Sequence, residues 1–310
     1  MDLVTIVITA CTSRKRKPVG ESLRMSAVPQ LPIAALAADW GRRLEAATDV
    51  YPAGEIYGGR SFREATLAAQ SLDARLMIVS AGLGLIDADS IVPSYGCTVL
   101  PDTGDSIATR AVGAYSVTDW WQALKSKSPF AQSLSSVTGQ SGGLICAALS
   151  EAYIELIVGE IRSLPTDTLM RLRLFTRTPP ERVGPMLRPF VMPYDDRLDG
   201  PDSPVRGTRG DFASRALRHF AAFVAKGNDG QSAADDAAVV ATSLAGWRMP
   251  ATFDRRRLND KEVLRLIDVH WDAERGSTAR LLRRFRDDLG VACEQGRFAA
   301  LARQVRAERA

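Results

Sequence analysis

The sequence is poor in the residues that build disulfide frameworks and zinc sites. It has four cysteines and two histidines in 310 residues, and none of them falls in a CxxC or Cys/His cluster. Because the cysteines are few and widely scattered, neither a disulfide framework nor a zinc site is predicted, and no metal or cofactor is expected. The residues concerned are Cys11, Cys97, Cys146, Cys293, His219 and His270.

Long apolar runs are also absent. A membrane helix needs roughly 18 consecutive apolar residues, and no stretch approaches that length. Residues 1–9 contain an acidic residue and resemble a strand more than a signal peptide. A cytoplasmic protein without membrane contact is therefore expected, and 45% hydrophobic residues are enough for a large core.

Excess positive charge is missing from most of the chain and concentrated at its end. The net charge is +4 and the pI about 9.0. Residues 248–310 contain 14 arginines and one lysine against ten carboxylates, a net charge of +5, so residues 1–247 carry a net −1. The whole excess lies in the C-terminal segment, which favours nucleic acid as the partner.

Short apolar segments indicate buried strands at residues 4–9, 76–80 and 144–149, with weaker ones at 172–175 and 189–192. Helical patterns lie between them, notably over 31–47, 61–72 and 151–164. This alternation predicts an α/β fold with a mostly parallel sheet and flanking helices, in which sites gather at the carboxyl ends of strands. A site is therefore expected in the loops after Thr9, Ser80, Leu149 and Met192.

The second half of the chain is divided by its composition. Residues 193–210 are rich in Pro, Gly, Asp and Arg and predict a long loop before a helix at 212–226. Three short capped helices, each with one apolar face, predict a small all-helical, helix-turn-helix-like region near the end. The predicted organisation is an α/β catalytic domain over 1–226, a linker or connecting segment over 227–257, and a basic DNA-binding region over 258–310.

The arginines of the last helices are candidates for DNA binding. Contacts with successive phosphates would dominate the affinity and make it sensitive to salt. The alternative is a solvated helix surface, because Asp287, Asp288 and Glu294 interrupt the positive charge. The arginines assigned to DNA here are Arg280, Arg283, Arg284, Arg297 and Arg303.

Two further segments suggest contact with a nucleotide. Residues 11–17 combine hydroxyls, a thiol and four cations that could bind a phosphate, although a solvated loop is the alternative. The glycines after Tyr57 would let backbone amides approach a phosphate while the tyrosine stacks on a base, and an ordinary turn is the alternative. Cations from these two segments and from the loop predicted over residues 193–210 are also assigned to DNA. They are Arg14, Lys15, Lys17, Arg60, Arg197, Arg206 and Arg209.

Three carboxylates, Asp195, Asp196 and Asp211, are the candidate catalytic residues. A positioned carboxylate can activate water or stabilise the cationic sugar during base excision, while nearby arginines hold the phosphates. Surface turns for Asp195 and Asp196, and a helix cap for Asp211, are the non-catalytic alternatives.

Three motifs in order resemble a bacterial domain that is distantly similar to the peroxide-stress DNA-binding proteins. They are Thr9-Ala10-Cys11-Thr12 with Lys15, then Ile56-Tyr57-Gly58-Gly59-Arg60-Ser61-Phe62, then Ser80-Ala81-Gly82-Leu83-Gly84-Leu85 followed by Pro93-Ser94-Tyr95. Together with the arginine-rich helical tail, they resemble the anti-phage DNA glycosylases that excise glucosylated hydroxymethylcytosine. The resemblance implies a glycosylase-like α/β domain with a nucleobase pocket at the strand ends and no need for a metal. It supplies no catalytic residue.

The expected function is therefore that of a monofunctional DNA glycosylase. It would flip and excise a bulky modified base from double-stranded phage DNA and leave an abasic site, with no obligatory protein partner. An amine nucleophile from Lys15 or Lys17 would make it bifunctional. A non-catalytic DNA-binding protein of stress or defence and a nucleoside or nucleotide hydrolase are the alternatives. The expected base pocket comprises Cys11, Thr12, Tyr57, Ser80, Gly82 and Tyr95.

Overall fold

The computed structural model describes residues 4–101, 103–225, 231–251 and 254–309. The chain forms two compact units, residues 1–250 and residues 251–310. The first unit is α/β, and the second consists mainly of helices. Within the described ranges, no helix combines the length and the apolar character needed to cross a bilayer.

A five-stranded sheet forms the centre of the first unit. The strands of this unit are β1 (Ile6–Ala10), β2 (Leu31–Pro32), β3 (Val50–Pro52), β4 (Arg75–Ser80), β5 (Gly84–Asp87), β6 (Ile91–Pro93), β7 (Ala111–Val112), β8 (Ile145–Ala148) and β9 (Leu172–Phe175). The order in the main sheet is β5-β4-β1-β8-β9, with β5 antiparallel to β4 and the other four strands parallel. The strand pairs β2–β7 and β3–β6 are separate. The carboxyl ends of β4, β1, β8 and β9 therefore meet at one edge.

Helices cover this sheet in two groups. The helices of the unit are α1 (Ile33–Glu45), α2 (Ala53–Ile56), α3 (Arg60–Ser71), α4 (Val117–Lys127), α5 (Leu134–Gly139), α6 (Glu151–Arg162), α7 (Thr166–Met170), α8 (Pro180–Val183), α9 (Phe212–Phe223) and α10 (Ala233–Leu244). Helices α3 and α9 pack on each other and on the sheet, while α4 packs against α1 and α6. The apolar strands β1, β8 and β9 are buried along their length, as expected of parallel strands covered on both faces.

The predicted α/β class is confirmed, and one predicted strand is wrong. The helices predicted at 31–47, 61–72 and 151–164 correspond to α1, α3 and α6. In the region of the strand predicted at 189–192, however, Arg188–Phe190 form a 3-10 helix, and Val191 makes only an isolated bridge to Leu174. Pro189 has no amide hydrogen and cannot donate to a ladder.

The connecting segment predicted over 227–257 is wrong for residues 233–244. These residues form α10, which starts with a capping box of Ser232 and Asp235 and belongs to the first unit. Asp236 on this helix forms a fully buried ion pair with Arg173 of β9. Local composition cannot reveal such a distant partner, so the Ala- and Asp-rich segment suggested a linker. Residues 226–230 of the predicted helix end and linker lie outside the described residues.

Over the described residues 254–309, the second unit has three helices around its own small core. Its elements are β10 (Arg256–Arg257), α11 (Asp260–His270), α12 (Thr278–Asp287), β11 (Val291–Ala292) and α13 (Gln295–Glu308). The three predicted C-terminal helices are confirmed, including the capping box of Asn259 and Glu262. The rings of Phe285 and Phe298 pack 4.9 Å apart in the core. The parallel pair of β10 and β11 was not predicted.

Candidate functional site

A cavity of about 700 Å³ opens at the carboxyl edge of the sheet, directly after β1. This is the size range of pockets for small organic ligands. We call it the Lys15 cavity, and its lining includes Cys11, Thr12, Lys15, Lys17, Arg24, Ser26, Tyr95, Asp105 and Tyr153. Of the predicted base-pocket residues, Cys11, Thr12 and Tyr95 thus line one cavity.

Lys15 places its ammonium group against two aromatic rings of this site. The Nζ atom lies 4.8 Å from the centroid of Tyr57 and 4.6 Å from that of Tyr95, and it donates a hydrogen bond of 2.5 Å to the carbonyl oxygen of Thr12. Within the described ranges no carboxylate pairs with it. Burial lowers the pKa of Lys15, and its interaction with the Asp105 carboxylate offsets this only in part.

Buried tyrosines surround that lysine. The hydroxyl of Tyr95 lies 3.2 Å from the hydroxyl of Tyr57 and 2.5 Å from that of Ser80, and the Tyr153 hydroxyl lies 3.1 Å from the Cys11 sulfur. Burial raises the pKa of Tyr57, Tyr95 and Tyr153. The phenols therefore stay neutral at physiological pH and can donate hydrogen bonds.

Gly82 supports the pocket from behind and does not line it. A Cβ atom at this position would lie only 2.6 Å from the ring of Tyr95, and the indole of Trp40 donates to the Gly82 carbonyl. A side chain here would displace Tyr95. Ser80 likewise acts through its hydroxyl on Tyr95. These two predicted pocket residues position the tyrosine.

The outer part of the Lys15 cavity is polar. The carboxylate of Asp105 accepts hydrogen bonds from the backbone and side chain of Ser26, at 3.1 and 2.7 Å, and from Arg24 at 3.2 Å. Ser26 and Arg24 are exposed, whereas Tyr95 and Tyr153 are buried. The cavity therefore has an aromatic inner end and a hydrogen-bonding outer end.

A second cavity of about 880 Å³ follows β8 and β9, and Asp195 and Asp196 line it. Asp196 pairs with Arg177 at 2.6 Å. Asp195 accepts three hydrogen bonds from the guanidinium of Arg197 and one from its backbone amide. Burial raises the pKa of Asp195, but the hydrogen bonds and charge of Arg197 outweigh it, so the pKa is lowered. Asp195 is therefore ionised at neutral pH, where it binds the guanidinium of Arg197.

Asp211, the third candidate carboxylate, is buried between α3 and α9 and lines neither cavity. Its Oδ1 atom accepts hydrogen bonds from Arg215 at 2.5 Å and from the Thr208 amide at 2.8 Å. Arg60 approaches its other oxygen at 3.6 Å. Asp211 stands at the N-cap position of α9 but makes no cap bond to that helix.

The predicted DNA-binding cations of the first unit fall into three kinds. Lys15 and Lys17 line the Lys15 cavity, where Lys17 also pairs with Glu55 at 2.8 Å. Arg60 and Arg197 are held by carboxylates. Exposed arginines without an ion pair in the described ranges are Arg14, Arg206 and Arg209.

In the second unit most of the predicted arginines have partners. Arg280 and Arg284 reach Glu274, at 3.9 and 2.9 Å, and Arg297 pairs with Asp260 at 2.6 Å. Arg283 and Arg303 are exposed and make no ion pair within the described part of the chain.

Sequence reasoning missed several residues of the Lys15 cavity. Tyr153 lies on the first turn of α6, after β8. Ser26 lies in a 3-10 helix over Met25–Ala27, and Arg24 and Asp105 lie in connecting segments that have no distinctive pattern. The position of Tyr153 just after a predicted strand end was the one available signal. Comparison with protein-family models, curated proteins and solved structures finds no match for this chain.

Proposed function

We propose that this protein is a DNA glycosylase that excises a bulky modified base, with the Lys15 cavity as its base pocket. The observation that carries the proposal is the Lys15 ammonium group, held beside two tyrosine rings without a carboxylate partner in the described ranges. Oxygen and nitrogen atoms of a nucleobase would accept hydrogen bonds from it. A base flipped out of the duplex is read by such hydrogen bonds and by aromatic contacts.

The two ends of the cavity fit a base that carries a polar substituent. Tyr95 and Tyr153 at the inner end suit a planar ring, and the exposed Arg24 and Ser26 at the outer end suit hydroxyl groups. A volume of about 700 Å³ exceeds what a plain base needs. Glucosylated hydroxymethylcytosine, with a base and a hexose, has this combination, and phage DNA that carries it is the proposed substrate.

In the proposed reaction, water adds to C1′ of the deoxyribose while the glycosidic C–N bond breaks. The bonding electron pair leaves with the base, Lys15 donates its proton to that base, and the attacking water releases a proton to solvent. A lowered pKa makes the Lys15 ammonium a stronger acid near neutral pH. General acid catalysis of this kind contributes roughly 10²–10⁴-fold.

Four carboxylates are candidates for a second catalytic group beside Lys15. Asp105 lines the Lys15 cavity, while Asp195 and Asp196 line the second cavity and Asp211 lines neither. The sequence-based assignment of these last three as catalytic stays a prediction. Their Asn variants separate a role in cleavage from one in folding.

The test is incubation with DNA that contains glucosylated hydroxymethylcytosine and with unmodified DNA, followed by mass spectrometry of released bases and alkaline cleavage at abasic sites. We expect release from the modified DNA alone. Lys15→Met should lower the rate by at least about 100-fold with little change in DNA affinity. Lys127→Met, at an exposed lysine on α4, is the matched control.

Two results would change this proposal. Trapping of a covalent adduct with borohydride would overturn the hydrolytic route and make Lys15 an amine nucleophile. Salt-sensitive binding to both DNAs without release from either would reject the glycosylase and favour a DNA-binding protein.

A further inference from the structure

The segment after β1 directs its side chains to two opposite sides. Residue 15 pairs with residue 57 in an antiparallel bridge, and the flanking backbone bonds, Gly58 N–H to Arg14 O and Arg16 N–H to Ile56 O, are both 2.8 Å. Side chains alternate along such an extended segment. Lys15 accordingly lines its cavity, whereas Arg14 and Arg16 line a different groove.

That groove, which we call the arginine groove, has a volume of about 640 Å³ and lies between this segment and α3. Of the described residues, no carboxylate lines it, and the arginines that do are Arg14, Arg16, Arg60 and Arg63. Glu64 underneath is buried and shared by Arg60, Arg63 and Arg218. Arg14 and Arg16 are exposed and make no ion pair in the described ranges. The groove therefore keeps a strong positive charge facing solvent.

The entrance to α3 leaves this groove open to a ligand. Gly59 has φ = 98°, a left-handed conformation that favours glycine, and a Cβ atom there would meet no described atom within 4 Å. The first amides of the 12-residue helix α3 follow directly, and free amides at a helix start favour an anion. They add to the attraction that the arginines exert.

Tyr57 connects the groove to the Lys15 cavity. It lines the groove, its hydroxyl lies 3.2 Å from that of Tyr95, and Tyr95 lines the cavity. A ligand in the groove would therefore lie across one extended segment from a ligand in the cavity.

We propose that the arginine groove binds the DNA phosphates that flank the base entering the Lys15 cavity. The proposal rests on the proposed function for the choice of DNA. Guanidinium groups bind phosphate oxygens through paired hydrogen bonds, and the charge they neutralise determines how affinity depends on salt. Arg16 and Arg63 join Arg14 and Arg60 as DNA contacts on this basis.

The test is the double variant Arg14→Gln/Arg16→Gln of the full chain, with DNA affinity measured by fluorescence anisotropy across salt concentrations. We expect affinity at least about tenfold lower near 0.1 M salt, and a slope of log K against log salt reduced by about two. The control Lys127→Gln/Arg162→Gln removes two exposed charges on α4 and α6 and should keep the wild-type slope. An unchanged slope and affinity in the arginine variant would overturn the proposal.

A second experiment tests where the groove acts. Methylphosphonates replace the charged phosphates on either side of the modified base, and in a second DNA they replace phosphates far from it. Neutral flanking phosphates should weaken wild-type binding but have little further effect on the arginine variant, since the two changes remove the same contacts. Additive losses, or equal losses from the distant phosphates, would overturn the placement beside the base.

These outcomes distinguish a failure of phosphate binding by the arginine groove from a failure of the proposed base excision. If the arginine variant loses affinity while wild type releases no base from any DNA, the groove stands and the glycosylase fails. If wild type releases the base and the arginine variant binds and reacts like wild type, the glycosylase stands and the groove fails.

Discussion

The two ends of the chain hold their positive charges in different ways. In the C-terminal unit, which has the larger net charge, Arg284 pairs with Glu274 and Arg297 with Asp260. In the segment after β1, by contrast, three consecutive cations have no ion pair within the described ranges, namely Arg14, Lys15 and Arg16. A surplus of charge in the sequence therefore does not locate the cations that are free to bind a ligand. The ion pairs of the folded chain locate them, because a cation already bound to a carboxylate is not free for a ligand.

The largest expected effect concerns the unpaired lysine. A general acid works only while protonated, so base release should fall as pH rises through the pKa of Lys15, which burial holds below its ordinary value of 10.5. Lys15→Arg keeps the charge but has no proton to give at these pH values, and should lose about 100-fold or more of the single-turnover rate. A rate in Lys15→Arg close to that of wild type would show that charge alone suffices.

Replacing a cation that is fully paired should lower the stability of the fold and leave DNA binding unchanged. Arg173→Met leaves Asp236 without its buried guanidinium partner, and breaking such a pair costs about 3–5 kcal/mol of the free energy of unfolding. Denaturant unfolding measures this loss. Arg42→Gln, on the exposed side of α1, should change stability by less than about 1 kcal/mol. The folded fraction of Arg173→Met should bind DNA like wild type, and a changed salt slope would contradict its purely structural role.

Asp211→Asn tests whether a buried carboxylate acts on the substrate or on the fold. Removing its charge weakens the hydrogen bonds from Arg215 and Thr208, which should cost about 2–3 kcal/mol of unfolding free energy. We expect base release per folded molecule to stay near wild type. An intact fold with lost release would instead support the catalytic assignment made from the sequence.

The smallest effects are expected within the C-terminal unit. Arg283→Gln/Arg303→Gln removes two exposed, unpaired charges and should reduce the salt slope by about one to two if this unit contacts DNA. Arg284→Gln/Arg297→Gln removes two paired charges, and should lower stability by less than about 1 kcal/mol per pair with a smaller change in slope. Equal slopes in both variants would mean that net charge, and not pairing, governs binding.

Much of the fold could be predicted from the sequence because its signals are local. The apolar run of β1, the periodicity of α9 and the capping box of α11 each lie within a few residues. The edge of the sheet that carries the cavity followed from the parallel order of the strands. Cys11, directly after β1, could therefore be named as a cavity residue in advance, whereas Tyr95 was named from the family resemblance, because it follows β6 outside the main sheet.

The sequence by itself determined the α/β class, the helical end of the chain and the segments from which a site would come. Only the tertiary structure decided which charges remain free. Arg173 of β9 pairs with Asp236 of α10, Asp105 reaches the cavity from a loop, and the bridge between residues 15 and 57 turns Arg14 and Arg16 away from Lys15. Such contacts depend on the chain being brought together over long separations, and local patterns of residues carry no record of them.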